Sequence, residues 1–276
     1  MSATTKTTKV TGLPPRYEIR TLGREHADWA KAIVIHSNMF SSPVWPALYP
    51  ENKTGRSYRG FKAADYLVDK QIDSGLSLGI FDKEYVYKRA ESAATNGKLY
   101  WDLEDESVDG GTLAEQMDFP LLSVALAYDG FNALEFPRLQ SLIDSLPAFA
   151  DVYAGLAAGD KRDPKDWQPT GPGQVIMRNA TSTKPGEEGH GFMKTMARHM
   201  MRKAADEGFR GIQIECAHDA VIHVWGNPPS PFVGHRISEI NCNTYEAKAE
   251  DGTVSYPLRP SKQNLVKIYV DLKPQN

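Results

Sequence analysis

The segment from residue 174 to residue 217 constrains this chain more than any other. It opens on a strand-like run, QVIMRNAT, and passes through a loop with glycine at 186, 189 and 191. It then enters a long amphipathic stretch over residues 189–207. There Phe192, Met193, Met196, Ala197, Met200 and Ala204 recur at helical spacing, with Lys194, Arg198, Arg202 and Asp206 opposite. Gly208 stands where a glycine ends a helix. GIQIECA, at 211–217, reads as a second strand. A glycine-rich loop between a strand and a helix start has a definite physical use. Backbone without side chains lets an anion come close, and the free N–H groups and dipole of the helix start favour it there.

The glycine spacing narrows the choice of anion site. It reads G-x-x-G-x-G, whereas a dinucleotide fold carries G-x-G-x-x-G in its first strand–helix turn. The Gly-Lys-Ser/Thr of a nucleotide-triphosphate loop is not supplied either, because Phe192 and Met193 follow Gly191.

Elsewhere strands and helices mix. Residues 17–22 read as a strand, 26–39 and 61–74 as amphipathic helices, and 76–81 with 84–88 as a strand, tight turn and return. Residues 42–58, with three prolines, predict a long loop or broken helix. LLSVALA, at 121–127, lacks alternation, which predicts a strand buried on both faces at the sheet centre. Residues 136–158 are helix-rich and broken at Pro147. A short helix over 219–225, a strand over 232–240 and a final pair near Tyr245 and over 267–272 complete the pattern. The expected fold class is mixed α/β. With neither internal repeats nor a long polar linker, residues 15–276 are expected to form one domain behind a disordered tail, residues 1–14.

Charge and cysteine content exclude other classes. Asp and Glu number 35 against 32 Lys and Arg, so the basic surplus of a nucleic-acid binder is missing. No apolar run is long enough to span a membrane, and none follows Met1 as in a signal peptide. Cys216 and Cys242 are not spaced as a zinc site and fit a reducing compartment, so a cytoplasmic location is expected. The histidines are scattered, and no metal is expected. The oligomeric state stays open.

The order of elements and the loop resemble the GNAT superfamily of acyl-CoA N-acyltransferases, whose loop Q/R-x-x-G-x-G/A opens a long helix. Gly189-His190-Gly191 match its last three positions, and Gly186 stands at the Gln/Arg position. Downstream, His218 to Trp225 are similar to N-x-x-A-x-x-x-Y, with His218 at the Asn and Trp225 at the Tyr position. Phe232-Val233-Gly234-His235-Arg236 resemble the strand after it. The resemblance covers the last third of the chain, about residues 174–240 as the cofactor part, together with the first strand and helix. Residues 42–96 and 136–172 read as insertions. The resemblance implies a splayed central sheet flanked by helices, acetyl-CoA as co-substrate, and a small-molecule amine attacking the thioester directly. It places the coenzyme pyrophosphate on the loop from Gly186 through Glu188, Gly189, His190 and Gly191, with Lys184 as the local cation. The pantetheine arm would run beside Thr181 and Thr183. Trp225 would pack on that arm or fill the core.

Candidates for the chemistry follow from position. His218, after the strand lining the cleft, is a candidate general acid or a helix cap. Glu215 is a candidate base or an ordinary hydrogen-bonded glutamate. Tyr245 is a candidate replacement acid or a packing tyrosine. Glu187 and Glu188 oppose a diphosphate unless they face solvent. Residues 42–58 and 129–172, rich in aromatics such as Trp45, Tyr49, Phe131, Phe136 and Trp167, are expected to form a lid or a wall of the acceptor pocket. Two other readings share this fold: an inactive acyl-CoA-binding protein, and a peptide or protein N-acetyltransferase.

Overall fold

The computed structural model describes residues 12–273, so residues 1–11 of the expected tail lie outside the described residues. In chain order the strands are β1 (Tyr17–Thr21), β2 (Leu78–Asp82), β3 (Leu121–Asp129), β4 (Val175–Thr183), β5 (Gly211–Cys216), β6 (Val233–Asn241), β7 (Ala247–Lys248), β8 (Val254–Ser255) and β9 (Asn264–Asp271). The helices are α1 (Ala27–His36), α2 (Trp45–Leu48), α3 (Lys53–Ala63), α4 (Asp65–Asp73), α5 (Ala90–Ala94), α6 (Gly110–Glu115), α7 (Gln140–Ser145), α8 (Ala148–Gly159), α9 (Pro164–Trp167), α10 (Phe192–Asp206) and α11 (Asp219–Gly226). A π-helical turn, Ser37–Ser41, continues α1. None of the described helices is long and apolar enough to cross a membrane.

A seven-stranded sheet runs in the order β1-β2-β3-β4-β5-β9-β6, and β7 pairs with β8 as a separate ribbon. All its pairings are antiparallel except that of β4 with β5. β3 carries the unbroken apolar run, and its first seven residues are buried. The run is explained by its position: Val124 and Leu126 face the core under α1, α3, α4, α7 and α8, while Leu122 and Ala125 belong to the core under α10 and α11. The mixed α/β expectation therefore holds, with one helical layer on each face.

Two expectations are corrected. The return strand over 84–88 does not form, because both edges of β2 are taken, by β1 and by β3. Side chains satisfy that segment's backbone instead. The Asp82 carboxylate accepts from the Glu84 N–H at 2.9 Å, and that of Asp118 accepts from the N–H groups of Lys88 and Arg89. Tyr245 lies in a turn after β6, not on a strand, and packs against α8 at Gly155. The partners of β9 are β5 and β6. Pro147 breaks the 136–158 stretch as expected, standing at the N-terminal end of α8.

Trp225 resolves toward the core. It is wholly buried on α11 in the cluster that joins α10 and α11 to β5 and β9. Replacing it with alanine should lower unfolding stability by about 3–5 kcal/mol, read from chemical denaturation curves.

Candidate active site

The pairing of β4 with β5 runs only from Val175–Gly211 to Arg178–Ile214. Beyond Arg178 the two strands separate. β4 continues along β3 to Thr183, and β5 continues along β9 to Cys216. The divergence begins at a β-bulge. Leu126 opposes Ala180 and Ala127 opposes Arg178, which leaves Asn179 as the extra residue. Its side chain donates to the Tyr153 hydroxyl at 2.8 Å, tying the bulge to α8.

A cavity of about 620 Å³ opens from this gap. Asn179 to Thr183 line one side and Ile214 to Ala217 the other. Glu187 to Lys194, from the loop and the start of α10, close one end. Trp45, Leu67, Val68, Leu146, Phe149 and Leu156 wall the opposite side, so residues from both 42–96 and 136–172 line the cavity.

The loop's backbone is shaped by glycine where shape matters. Gly189 and Gly191 have φ of 83° and 72°, and nothing lies within 4 Å of where a Cβ would stand. Glycine holds this left-handed path without strain and leaves the space above it open. α10 begins with no side-chain cap. Thr195 is the first residue here whose N–H turns back into the helix, to the Gly191 carbonyl at 3.0 Å. The N–H groups from Gly189 to Lys194 have no protein partner among the described residues. They form the anion-receptive end of a fifteen-residue helix.

Other loop residues sit differently from expectation. The Lys184 side chain turns beneath the sheet, donating to the Phe119 carbonyl at 2.9 Å and to the Tyr85 hydroxyl at 3.3 Å. Burial lowers its pKa to about 8, and it does not line the cavity. Gly186 also stands off the cavity, and its N–H is taken by the Glu188 carboxylate at 2.8 Å. Thr183 bonds the Ser123 hydroxyl at 2.9 Å. The exposed ring of His190 stacks on Phe192, with centroids 5.2 Å apart. Glu187 and Glu188 do line the cavity.

Of the three catalytic candidates, Glu215 and His218 line the cavity, whereas Tyr245 and also Trp225 do not. His218 caps α11, its Nδ1 accepting from the Ala220 N–H at 3.1 Å. Glu215 is desolvated, with only part of its side chain facing the cavity. Desolvation lifts its pKa to about 7 against the pull of Lys267, which it faces across the β5–β9 pair. Gln213 donates to Glu215 at 3.3 Å and accepts from Arg162 at 2.8 Å. Arg162 and Lys267 both pair with Asp160, at 2.7 and 3.4 Å. The cations beside Glu215 are thus already claimed by Asp160, whose pKa the Arg162 hydrogen bond holds down at about 2. This leaves Glu215 as a carboxylate poised near neutrality. Sequence reasoning missed Asn179 and Tyr153, because neither a bulge nor a helix-to-strand contact leaves a sequence signal. Cys216 and Cys242 are free and buried.

Two predictions follow from this geometry. Exchanging Glu187 and Glu188 for glutamine should strengthen the binding of a phosphate-type anion at the start of α10 by about fivefold, with the gain shrinking as salt rises. The folded state raises the Glu215 pKa from 4.5 to about 7, so folding favours its protonated form. The stability this contributes is full below pH 4.5 and is lost as pH rises through about 7. Relative to Glu215→Gln, the unaltered protein should lose stability over that window in urea titrations.

No protein-family model matches the sequence, and no curated protein sequence matches it. Solved structures do match. The C-terminal condensation domain of Ebony, in complex with β-alanyl-dopamine, superposes with a TM-score of 0.57 at 16% identity, covering 92% of this chain and 98% of that one. Arylalkylamine N-acetyltransferase 2 from Aedes aegypti superposes with a TM-score of 0.53 at 12% identity, covering 93% and 99%. At such identities the likeness is one of fold, and it spans nearly the whole of each chain. The chain carries the fold of the GNAT acyl-CoA N-acyltransferase superfamily.

Proposed function

We propose that this protein is an acetyl-CoA-dependent N-acetyltransferase acting on a small-molecule amine with an apolar or aromatic body. The observation that carries the reading is the cavity. It joins uncommitted N–H groups at the start of α10, two diverging strand edges, and a carboxylate tuned near neutrality.

The loop N–H groups from Gly189 to Lys194 would hold the coenzyme's diphosphate. The edge of β4 from Asn179 to Thr183, no longer paired with β5, offers backbone partners to the amides of the pantetheine arm. On the opposite side, the wall around Trp45, Phe149 and Leu67 suits an apolar amine body. Glu215 takes the proton of the attacking ammonium, directly or through one water. The amine lone pair forms the new C–N bond, the C–S bond breaks, and its electron pair leaves on sulfur. The solved neighbours fit this class: one is named for arylalkylamine acetylation and another holds β-alanyl-dopamine. A second reading, acyl-CoA binding without turnover, is favoured by the acid position: Trp225 stands there wholly buried, and neither it nor Tyr245 lines the cavity.

Calorimetric titration with acetyl-CoA, followed by thiol release in the presence of arylalkylamines, tests the proposal. Binding that Gly191→Asp abolishes, together with thiol release, supports it. Binding without release selects the second reading, and absence of binding refutes both. Glu215 acts as a base only when ionised. kcat/KM should therefore rise with pH up to about 7 and then level off. Glu215→Gln should remove that inflection and lower the rate by about 10²- to 10⁴-fold.

A further inference from the structure

Arg178 is a buried guanidinium, 2% exposed, that pairs with no carboxylate among the described residues. It stands on β4 at the last position paired with β5. One terminal nitrogen donates to the carbonyls of Leu126 and Ala180. The other donates to the Thr181 hydroxyl. Its Nε has no partner, and the Trp225 ring lies 5.7 Å from the guanidinium carbon. Burial lowers its pKa to about 9, which keeps it cationic at neutral pH. A buried cation with no counter-charge is costly to fold around.

The bulge explains the contact with Thr181. In a regular strand, side chains three apart point to opposite faces. The extra residue at Asn179 turns Thr181 back onto the face of Arg178. Thr181 lines the cavity where the strands part. Its oxygen accepts from Arg178, and its own hydrogen is committed to no protein acceptor among the described residues. Cys216, across the gap on β5, lines the same cavity next to Glu215 in sequence and so on the opposite face from it. Burial pushes its thiol pKa upward, so it stays a neutral thiol. The gap therefore has a carboxylate toward one face and an unbalanced cation with a pre-aimed hydroxyl toward the other.

We propose that Thr181 and Arg178 form a thiolate-receiving site: the Thr181 hydroxyl donates to the sulfur that leaves the acyl carbon, and Arg178 holds that hydroxyl in orientation. This rests on the acyltransfer reading above. As the C–N bond forms, the C–S bond breaks, and its electron pair settles on sulfur beside the donor. The ammonium proton passes to Glu215, and the thiolate is finally protonated from water. Thr181 is the catalytic residue of the pair, and Arg178 is a positioning residue.

The test uses coenzyme A carrying a ¹³C label beside its sulfur, bound to the intact chain and titrated with pH by NMR. In the unaltered protein the bound thiol should titrate about one pH unit or more below the free coenzyme. Thr181→Val should bring it back toward the free value and lower kcat by about 10²-fold, with coenzyme affinity unchanged. Thr181→Ser should keep the shift, and Arg178→Gln should lose it. Thr181→Val keeps the side-chain volume but leaves one Arg178 N–H without its acceptor, so its folding is checked by urea denaturation; Thr181→Ser, which keeps that acceptor, and the bound thiol of the unaltered protein keep the test decisive even if Arg178→Gln does not fold. A bound thiol that titrates like the free coenzyme, or Thr181→Val at full kcat, overturns the inference and leaves the acyltransfer reading intact. Absence of coenzyme binding overturns that reading and the inference with it.

Discussion

Two parallel strands that stay together only from Val175 to Arg178 govern the rest of this molecule. A parallel pair needs a crossover, and α10 supplies it, so its uncapped start lies at the same end as the separation. Had the pair continued to Thr183, the backbone groups on both edges would bond each other and no cavity would exist. Because the strands part, β4 is held by β3 alone and β5 by β9 alone beyond that point. The lining, the desolvation of Glu215 and the isolation of Arg178 all follow from that parting.

Much of this was legible in the residues. The glycine-spaced loop, the apolar face of α10 and the strands on either side lie where their periodicity placed them. These signals are local, so a single stretch of sequence carries them. The unbroken run of β3 announced its burial for the same reason. His218 could be read as a cap, because a side chain that accepts hydrogen bonds before a short helix has that use.

What the sequence hid depends on neighbours distant in the chain. The segment 84–88 has strand composition, yet β1 and β3 already occupy both edges of β2. Lys184 precedes the phosphate-type loop closely enough to suggest a ligand, but its backbone N–H bonds Leu122 and its side chain is carried under the sheet to Phe119. Tyr245 is placed by the turn after β6, which no periodicity reports. Arg178 gives the sharpest example. An arginine in an amphipathic strand reads as a solvent-facing residue. Only the bulge, the roof of Trp225 and the absence of a paired carboxylate among the described residues turn it into a buried, isolated charge.

The Glu188 carboxylate, bonded to the Gly186 N–H, seats a tethered anion at the rim of the loop, beside the free N–H groups of Gly189 to Lys194. A tethered group acts at a high effective concentration. An anion arriving at the loop meets the repulsion of a carboxylate already seated at its rim, and an anion leaving it is helped out by the same group. Such a loop is built to exchange an occupant rather than to keep it, which is what the proposed acyltransfer would ask of it at every turnover.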